Sequence, residues 1–163
     1  MPRKKFFFDT ENETYEITAG GAIFYKYDSD NRLQLLLMTN RNKYEDLGGC
    51  VDRTDETIYH TVAREVHEES NGQISQRIIT RLRNSPFVVS QKSKYIVFFV
   101  AASEAESNLT GADFGDREIH DDFERTIDWI PVDVFLNKYT IRDKLNFRLK
   151  NRKVFELVKT FIL

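Results

Sequence analysis

Between residues 47 and 72 a glycine turn hands the chain to a helix that is apolar on one side and acidic beside it. No other stretch restricts the fold as much. The turn reads Leu47-Gly48-Gly49-Cys50-Val51-Asp52, and the helix closes on Arg64-Glu65-Val66-His67-Glu68-Glu69-Ser70-Asn71-Gly72. Wound at about 100° per residue over 57–70, Ile58, Tyr59, Val62, Ala63 and Val66 form one stripe that needs a sheet or a second helix to cover it. Glu65, Glu68 and Glu69 share an adjoining arc of roughly 100°. Glu69 also continues the apolar stripe, three residues past Val66 and seven past Val62. Like charges so spaced cost roughly a few tenths of a kcal/mol per pair on a solvated helix, and a glutamate at a core-like position implies a partner. Oxygen ligands from carboxylates suit Mg²⁺ or Mn²⁺, which keep several waters and bridge to substrate phosphates; the lack of paired cysteines argues against structural zinc. The plain alternative for such a run is a charged, solvated helix face.

The setting favours the metal reading. The segment resembles the Nudix box, a glycine, five residues, a glutamate, seven residues, then Arg-Glu-aliphatic-any-Glu-Glu-any-Gly. Glu56, Arg64, Glu65, Val66, Glu68 and Glu69 fit the glutamate, arginine, aliphatic and acidic slots in register across residues 49–72. Counting back from Glu56, the first glycine slot falls on Cys50 with Gly49 just before it, so the turn carries one extra residue after Gly49. The closing glycine slot holds Asn71, which tolerates the left-handed conformation that ends a helix. The resemblance implies an α/β/α sandwich with a mixed sheet between helices. It further implies a pyrophosphohydrolase in which Glu65, Glu68 and Glu69 hold Mg²⁺ or Mn²⁺. Glu65, Arg64 and Glu69 would be the catalytic set, and Gly48, Gly49 and Glu56 the substrate loop, Glu56 supporting that loop rather than binding metal.

Length and composition agree with one domain over residues 1–163, long enough for a single core. With 31% charged residues and a net charge of −2, the chain is neither a nucleic-acid-coating protein nor an acidic solvating one. Cys50 is the only cysteine, so no intramolecular disulfide forms, and it reads as a small residue filling the turn. No apolar run is long enough to span a bilayer, and the N-terminal Phe6-Phe7-Phe8-Asp9 stretch is too short and too soon acidic for a secretory signal. A soluble, cytoplasmic protein with no membrane partner is expected.

Along the chain, 17–26 and 33–38 read as strands around the Asp28-Ser29-Asp30-Asn31 turn. After the helix, 78–82 and 87–89 look like short strands, and the nearly all-apolar 94–102 reads as a buried central strand. Residues 103–122 are polar without periodicity, the longest loop candidate. A strand over 125–132 and a short helix over 132–138 follow, and helical spacing of apolar residues between Asp143 and Ile162 predicts a C-terminal helix.

The family commonly recruits a further carboxylate. The candidates are Asp116, Glu118, Asp121, Asp122 and Glu124, with Glu118, Asp121 and Asp122 foremost as an extra ligand or base. His60 and His67 stand seven apart, wrong for an i, i+4 zinc pair. Asp113-Phe114-Gly115 lacks the other kinase signatures. Basic residues at 77–83 (Arg77, Arg81, Arg83) and 142–153 (Arg142, Lys144, Arg148, Lys150, Arg152, Lys153) are solvated faces or, if they flank the site, ground for a highly anionic ligand. Tyr25, Tyr44 and Phe87 are core residues or base-stacking ones. The expected partner is a phosphorylated small molecule or nucleotide, with a nucleoside-diphosphate linkage the leading substrate. Capped RNA and diphosphoinositol polyphosphate are the runners-up, and a catalytically inactive nucleotide-binding module is the rival of another class. The resemblance also admits a homodimer, although no residue pattern marks an interface.

Overall fold

Apolar runs and turn residues set out the strands in chain order. The computed structural model describes residues 2–163. An N-terminal hairpin, β1 (Phe6–Asp9) and β2 (Thr14–Ile17), precedes β3 (Ala19–Tyr27), β4 (Leu33–Asn40), β5 (Lys43–Glu45) and β6 (Leu47–Cys50). The helix α1 (Ile58–Glu69) and a short α2 (Ile79–Arg83) lead to β7 (Phe87–Ser90) and β8 (Tyr95–Ala101). Two one-turn helices, α3 (Glu104–Ser107) and α4 (Gly111–Phe114), and a small hairpin, β9 (Arg117–Glu118) and β10 (Phe123–Glu124), come before β11 (Thr126–Pro131), α5 (Val132–Phe135) and α6 (Arg152–Thr160).

The main sheet has seven strands in the order β11-β4-β3-β8-β7, with β5 added to β4 and β6 to β3. It is mixed: β3 and β8 run parallel, and the other neighbours antiparallel. The strand β3 changes partner along its length. Tyr25 to Tyr27 pair with β4, whereas Ala19 to Ala22 pair with β6. The sheet therefore splits where β5 passes into β6, and Asp46 sits in that split. Ile58, Val62, Ala63 and Val66 of α1 pack with Ala22, Phe24, Leu36, Ile96 and Phe98 on one face. On the other face Ile23, Leu35, Leu37, Val97 and Phe99 meet Phe135, Leu149, Val154 and Val158. Each fully buried aliphatic or aromatic side chain contributes about 1.5–3 kcal/mol relative to exposure, so both faces need their helices. The expected three-layer α/β/α arrangement with a mixed sheet is what is found.

Several elements differ from the sequence expectation. Residues 78–82 begin a helix, not a strand: Ile78 and Leu82 are both buried, at the i, i+4 spacing of one helical face. The polar 103–122 stretch is not a plain loop. Ser103 with Glu106 and Thr110 with Asp113 each form a capping box that starts a helical turn, a signal present in the sequence. The C-terminal helix is shorter than 143–162. Asn146 and Asn151 accept bonds from the Arg148 and Lys153 amides, which ends an irregular 140–149 segment and restarts a helix at Arg152. Leu145 lies extended beside Tyr44. No helix among the described residues is long and apolar enough to cross a membrane.

Candidate active site

The loop from β6 to α1 is organised by Asp55. Its buried carboxylate accepts Arg64 Nε at 3.1 Å and Nη2 at 2.9 Å, Thr61 Oγ1 at 2.8 Å and the Asp52 amide at 2.8 Å. Burial acts to raise its pKa, but the bonds from Arg64, the Asp52 amide and Thr61 outweigh it and hold the carboxyl below its ordinary value. Thr57 then caps α1, accepting the His60 amide. Glu56 is exposed and stands outside this network. The acid that Arg64 holds is therefore Asp55, six residues after Gly49, and not Glu56. Cys50 does not fill the turn either. It is exposed, and its carbonyl accepts Arg64 Nη2 at 3.1 Å.

Arg64 thus faces the acidic side of α1 with its position fixed. Its Nη1 donates to Glu65 Oε1 at 2.9 Å and lies 3.5 Å from Glu68 Oε2. The bonds to Asp55 above all keep its guanidinium charged. Glu65 lies flat on β6: a Cβ on Gly49 would stand 2.5 Å from its Oε1, so this approach requires glycine. Burial raises the Glu65 pKa, with Arg64 opposing and Glu68 and Asp121 adding to the rise. Glu69, 7% exposed, accepts the Gly48 amide on Oε2 at 3.0 Å. Burial, then the charges of Glu65 and Asp46, push its pKa well above the usual carboxylate range. Glu68 Oε1 lies 3.6 Å from His120 Nε2.

Across these carboxylates lies the β9–β10 hairpin, tied to the end of α1 by Asn71. Asn71 adopts the left-handed conformation (φ 54°) expected of the closing slot. Its side chain does more: Nδ2 donates to the carbonyls of Phe114 (2.9 Å) and Arg117 (2.8 Å), and Oδ1 accepts the Ile119 amide (2.9 Å). Arg125 adds a second tie, donating from Nη2 to the Glu69 carbonyl at 2.6 Å and to that of Phe114 at 3.1 Å. The three foremost hairpin acids then part ways. Asp121 is near enough to Glu65 to raise its pKa. Glu118 is buried inside the hairpin, with Oε2 on the Asp121 amide and Oε1 without a hydrogen-bond partner among the described residues. Asp122 is exposed and turned to Arg117 at 3.0 Å.

The other sequence candidates are spread through the fold. His60 bonds the capping Thr57 hydroxyl, and His67 donates through Nδ1 to the Ile74 carbonyl. Arg81 pairs with Glu106, Arg83 lies over Tyr59, Arg142 pairs with Asp143 and Arg152 with Glu156. Tyr25 stacks on Phe161 and Phe87 packs edge-on to Phe8. Of the basic residues of the 77–83 and 142–153 groups, Arg148 is the one that bonds Asp46 in the split of the sheet.

The α1 carboxylates offer oxygen donors, and the buried Glu69 carboxylate has the Gly48 amide as its hydrogen-bond donor, with the charges of Glu65 and Asp46 offset only in part by Arg148. That charge imbalance fits a hard cation. As the side chains stand, no three of His, Cys, Asp or Glu among the described residues are grouped to hold one; Arg64 occupies one oxygen of Glu65 and leans on Glu68.

No family model matches the sequence, and no curated protein matches it. A solved structure described as a Nudix hydrolase from M. smegmatis, RenU, is similar in fold, with a TM-score of 0.50 over 97% of this chain and 98% of that chain at 13% sequence identity.

Proposed function

We propose that the chain is a divalent-metal-dependent pyrophosphohydrolase of the Nudix type, acting on the diphosphate linkage of a nucleoside-diphosphate-linked substrate. The observation that carries the reading is Glu69: a carboxylate on the apolar side of α1, buried against Gly48 and beside Glu65, whose hydrogen-bond donor among the described residues is the Gly48 amide rather than a cationic side chain. The likeness in fold to a protein described as a Nudix hydrolase, and the box residues in register, support it.

Glu65, Glu68 and Glu69 would hold Mg²⁺ or Mn²⁺. When bound, the ion supplies charge neutralisation at the non-bridging phosphate oxygens and lowers the pKa of a water. The residues of the chain do the rest. Arg64, fixed by Asp55, aims the Glu65 and Glu68 carboxylates to one side of the helix. The side-chain-free backbone of Gly48 and Gly49 lets a diphosphate approach those carboxylates closely. Water adds to phosphorus, the bond from phosphorus to the bridging oxygen breaks, and the water's proton passes to a carboxylate. Glu65 is the first candidate for that base, and Asp121, which faces it, is the first from the hairpin. Glu118 is buried with Oε2 on the Asp121 amide, and Asp122 is turned to Arg117.

A panel tests the substrate class: nucleoside triphosphates, ADP-ribose, dinucleoside polyphosphates, capped RNA and a diphosphoinositol polyphosphate, each with Mg²⁺ or Mn²⁺ and read by mass spectrometry. Turnover of a member that is lost in Glu69→Gln is the expected result. Silence across the panel, in a protein that still binds Mn²⁺, would overturn catalysis in favour of a binding module.

A further inference from the structure

A buried polar set that the proposed reaction does not use lies in the split of the sheet. Asp46, fully buried between β5 and β6, accepts the Tyr95 hydroxyl and, at 2.9 Å, Arg148 Nε. Arg148 Nη2 is 3.9 Å from Glu45, and its guanidinium stacks 4.7 Å from the Tyr95 ring centre. Tyr95 belongs to the apolar cluster on the face opposite α1. The set is pressed against glycine backbone. A Cβ on Gly48 would stand 2.3 Å from the Tyr95 oxygen, and one on Gly21 would stand 2.0 Å from Asp46 Oδ2. Gly48 is thus held twice, by the Tyr95–Asp46 pair against its Cα and by Glu69 on its amide. A buried carboxylate needs a cation, and Arg148 is the one that bonds Asp46. Its neighbours Asn146 and Leu149 anchor the segment that carries it, Asn146 on the Tyr44 carbonyl and Glu45, Leu149 in the core.

We propose that Arg148, acting through Asp46 and Tyr95, is a positioning residue for the α1 carboxylates: it clamps the Gly48–Gly49 strand so that the Gly48 amide fixes Glu69 and the Gly49 backbone supports Glu65. The C-terminal segment thereby reaches the site without touching it. The consequence for metal binding rests on the function proposed above, whereas the clamp on Gly48 does not.

The test uses the whole chain, metal-free and then with Mn²⁺, in three variants. Asp46→Asn/Arg148→Met removes both charges and leaves no uncompensated ion in the core. Tyr95→Phe removes only the hydroxyl, and Arg148→Lys keeps the charge. In the metal-free protein the Gly48 amide resonance should move in the double variant and in Tyr95→Phe, and return toward the native position in Arg148→Lys. With Mn²⁺, the double variant should bind about tenfold or more weakly, the loss usual when a partner that orients a metal ligand is removed. On whichever panel member is turned over, kcat should fall more than KM rises. An unmoved Gly48 amide in Tyr95→Phe would overturn the clamp, even if the double variant does not fold. Native Mn²⁺ affinity and kcat in a folded double variant with a lowered melting temperature would also overturn it, by reducing the set to a structural ion pair. A native chain that binds no Mn²⁺ would instead overturn the metal reading, and the Gly48 resonance would still decide the clamp.

Discussion

Asp55 and Glu56 are adjacent acids, and the fold treats them oppositely. Asp55 is buried on Arg64, Thr61 and the Asp52 amide; Glu56 faces solvent. Asp55→Ala should therefore cost about 2–4 kcal/mol in urea unfolding, because it leaves the half-buried Arg64 without its main partner, while Glu56→Ala should stay within about 0.5 kcal/mol. The sequence could not separate them: both are acids, and counting back from Arg64 favours Glu56 while counting forward from Gly49 favours Asp55. Titration has a definite sign here. Glu65 and Glu69 have pKa values raised on folding, by burial first, so the folded chain binds their protons more tightly than the unfolded one. Their effect is to make the metal-free protein less stable as pH rises through and above the ordinary glutamate value of 4.5. Asp55 acts the other way, its contribution being present above the ordinary aspartate value of 3.8 and lost below it. Thermal unfolding without metal should show a higher midpoint near pH 5 than near pH 8, and Mg²⁺ should narrow the difference, since a bound cation favours the ionised carboxylates. A midpoint that rises steadily to pH 8 without metal would contradict the assignment.

At the scale of elements, the two glycines of β6 should fail differently. A Cβ on Gly48 meets the Tyr95 oxygen and the Gly20 carbonyl at 2.3 and 2.5 Å, backbone and core that cannot give way, so Gly48→Ala should destabilise by about 1–3 kcal/mol or more. A Cβ on Gly49 first meets the Glu65 carboxylate, which can move; Gly49→Ala should fold nearly normally and lose turnover. Denaturation and activity on one pair of samples read both. The hairpin offers a third case. Asn71→Gly keeps the left-handed turn but loses three bonds, so the Ile119 amide should exchange with solvent faster, with α1 itself unchanged. Periodicity made α1 and the long strands legible, because each buries a face over many residues. It failed over 78–82, where a short apolar run fits either period, and over 143–162, where asparagine side chains rather than apolar spacing decide where the helix starts. The one-turn helices of 103–114 were legible only through their capping boxes.

Over the whole molecule, the site is an effect of topology. The change of partner along β3 opens the split that holds Asp46, and the split brings Gly48 between Glu69 and the Tyr95–Asp46–Arg148 set. That Glu65, Glu68 and Glu69 share one side of a helix could be read from sequence because their spacing is local. Asp46, Tyr95 and Arg148 could not, because their contacts span 49 and 102 residues of chain and each looks ordinary where it stands. The same holds for Asn71, where a slot defined by backbone conformation gave no hint of its ties to the hairpin. The proposed function turns on whether the acidic face of α1 holds a divalent cation. The direct measurement is a Mn²⁺ titration followed by electron paramagnetic resonance, run on the native chain and on Glu69→Gln at neutral pH. Saturable binding in the native chain that is displaced by Mg²⁺ and lost in the variant, with the fold intact by circular dichroism, is the predicted result. Equal binding by both proteins, or none by the native chain, would contradict the account.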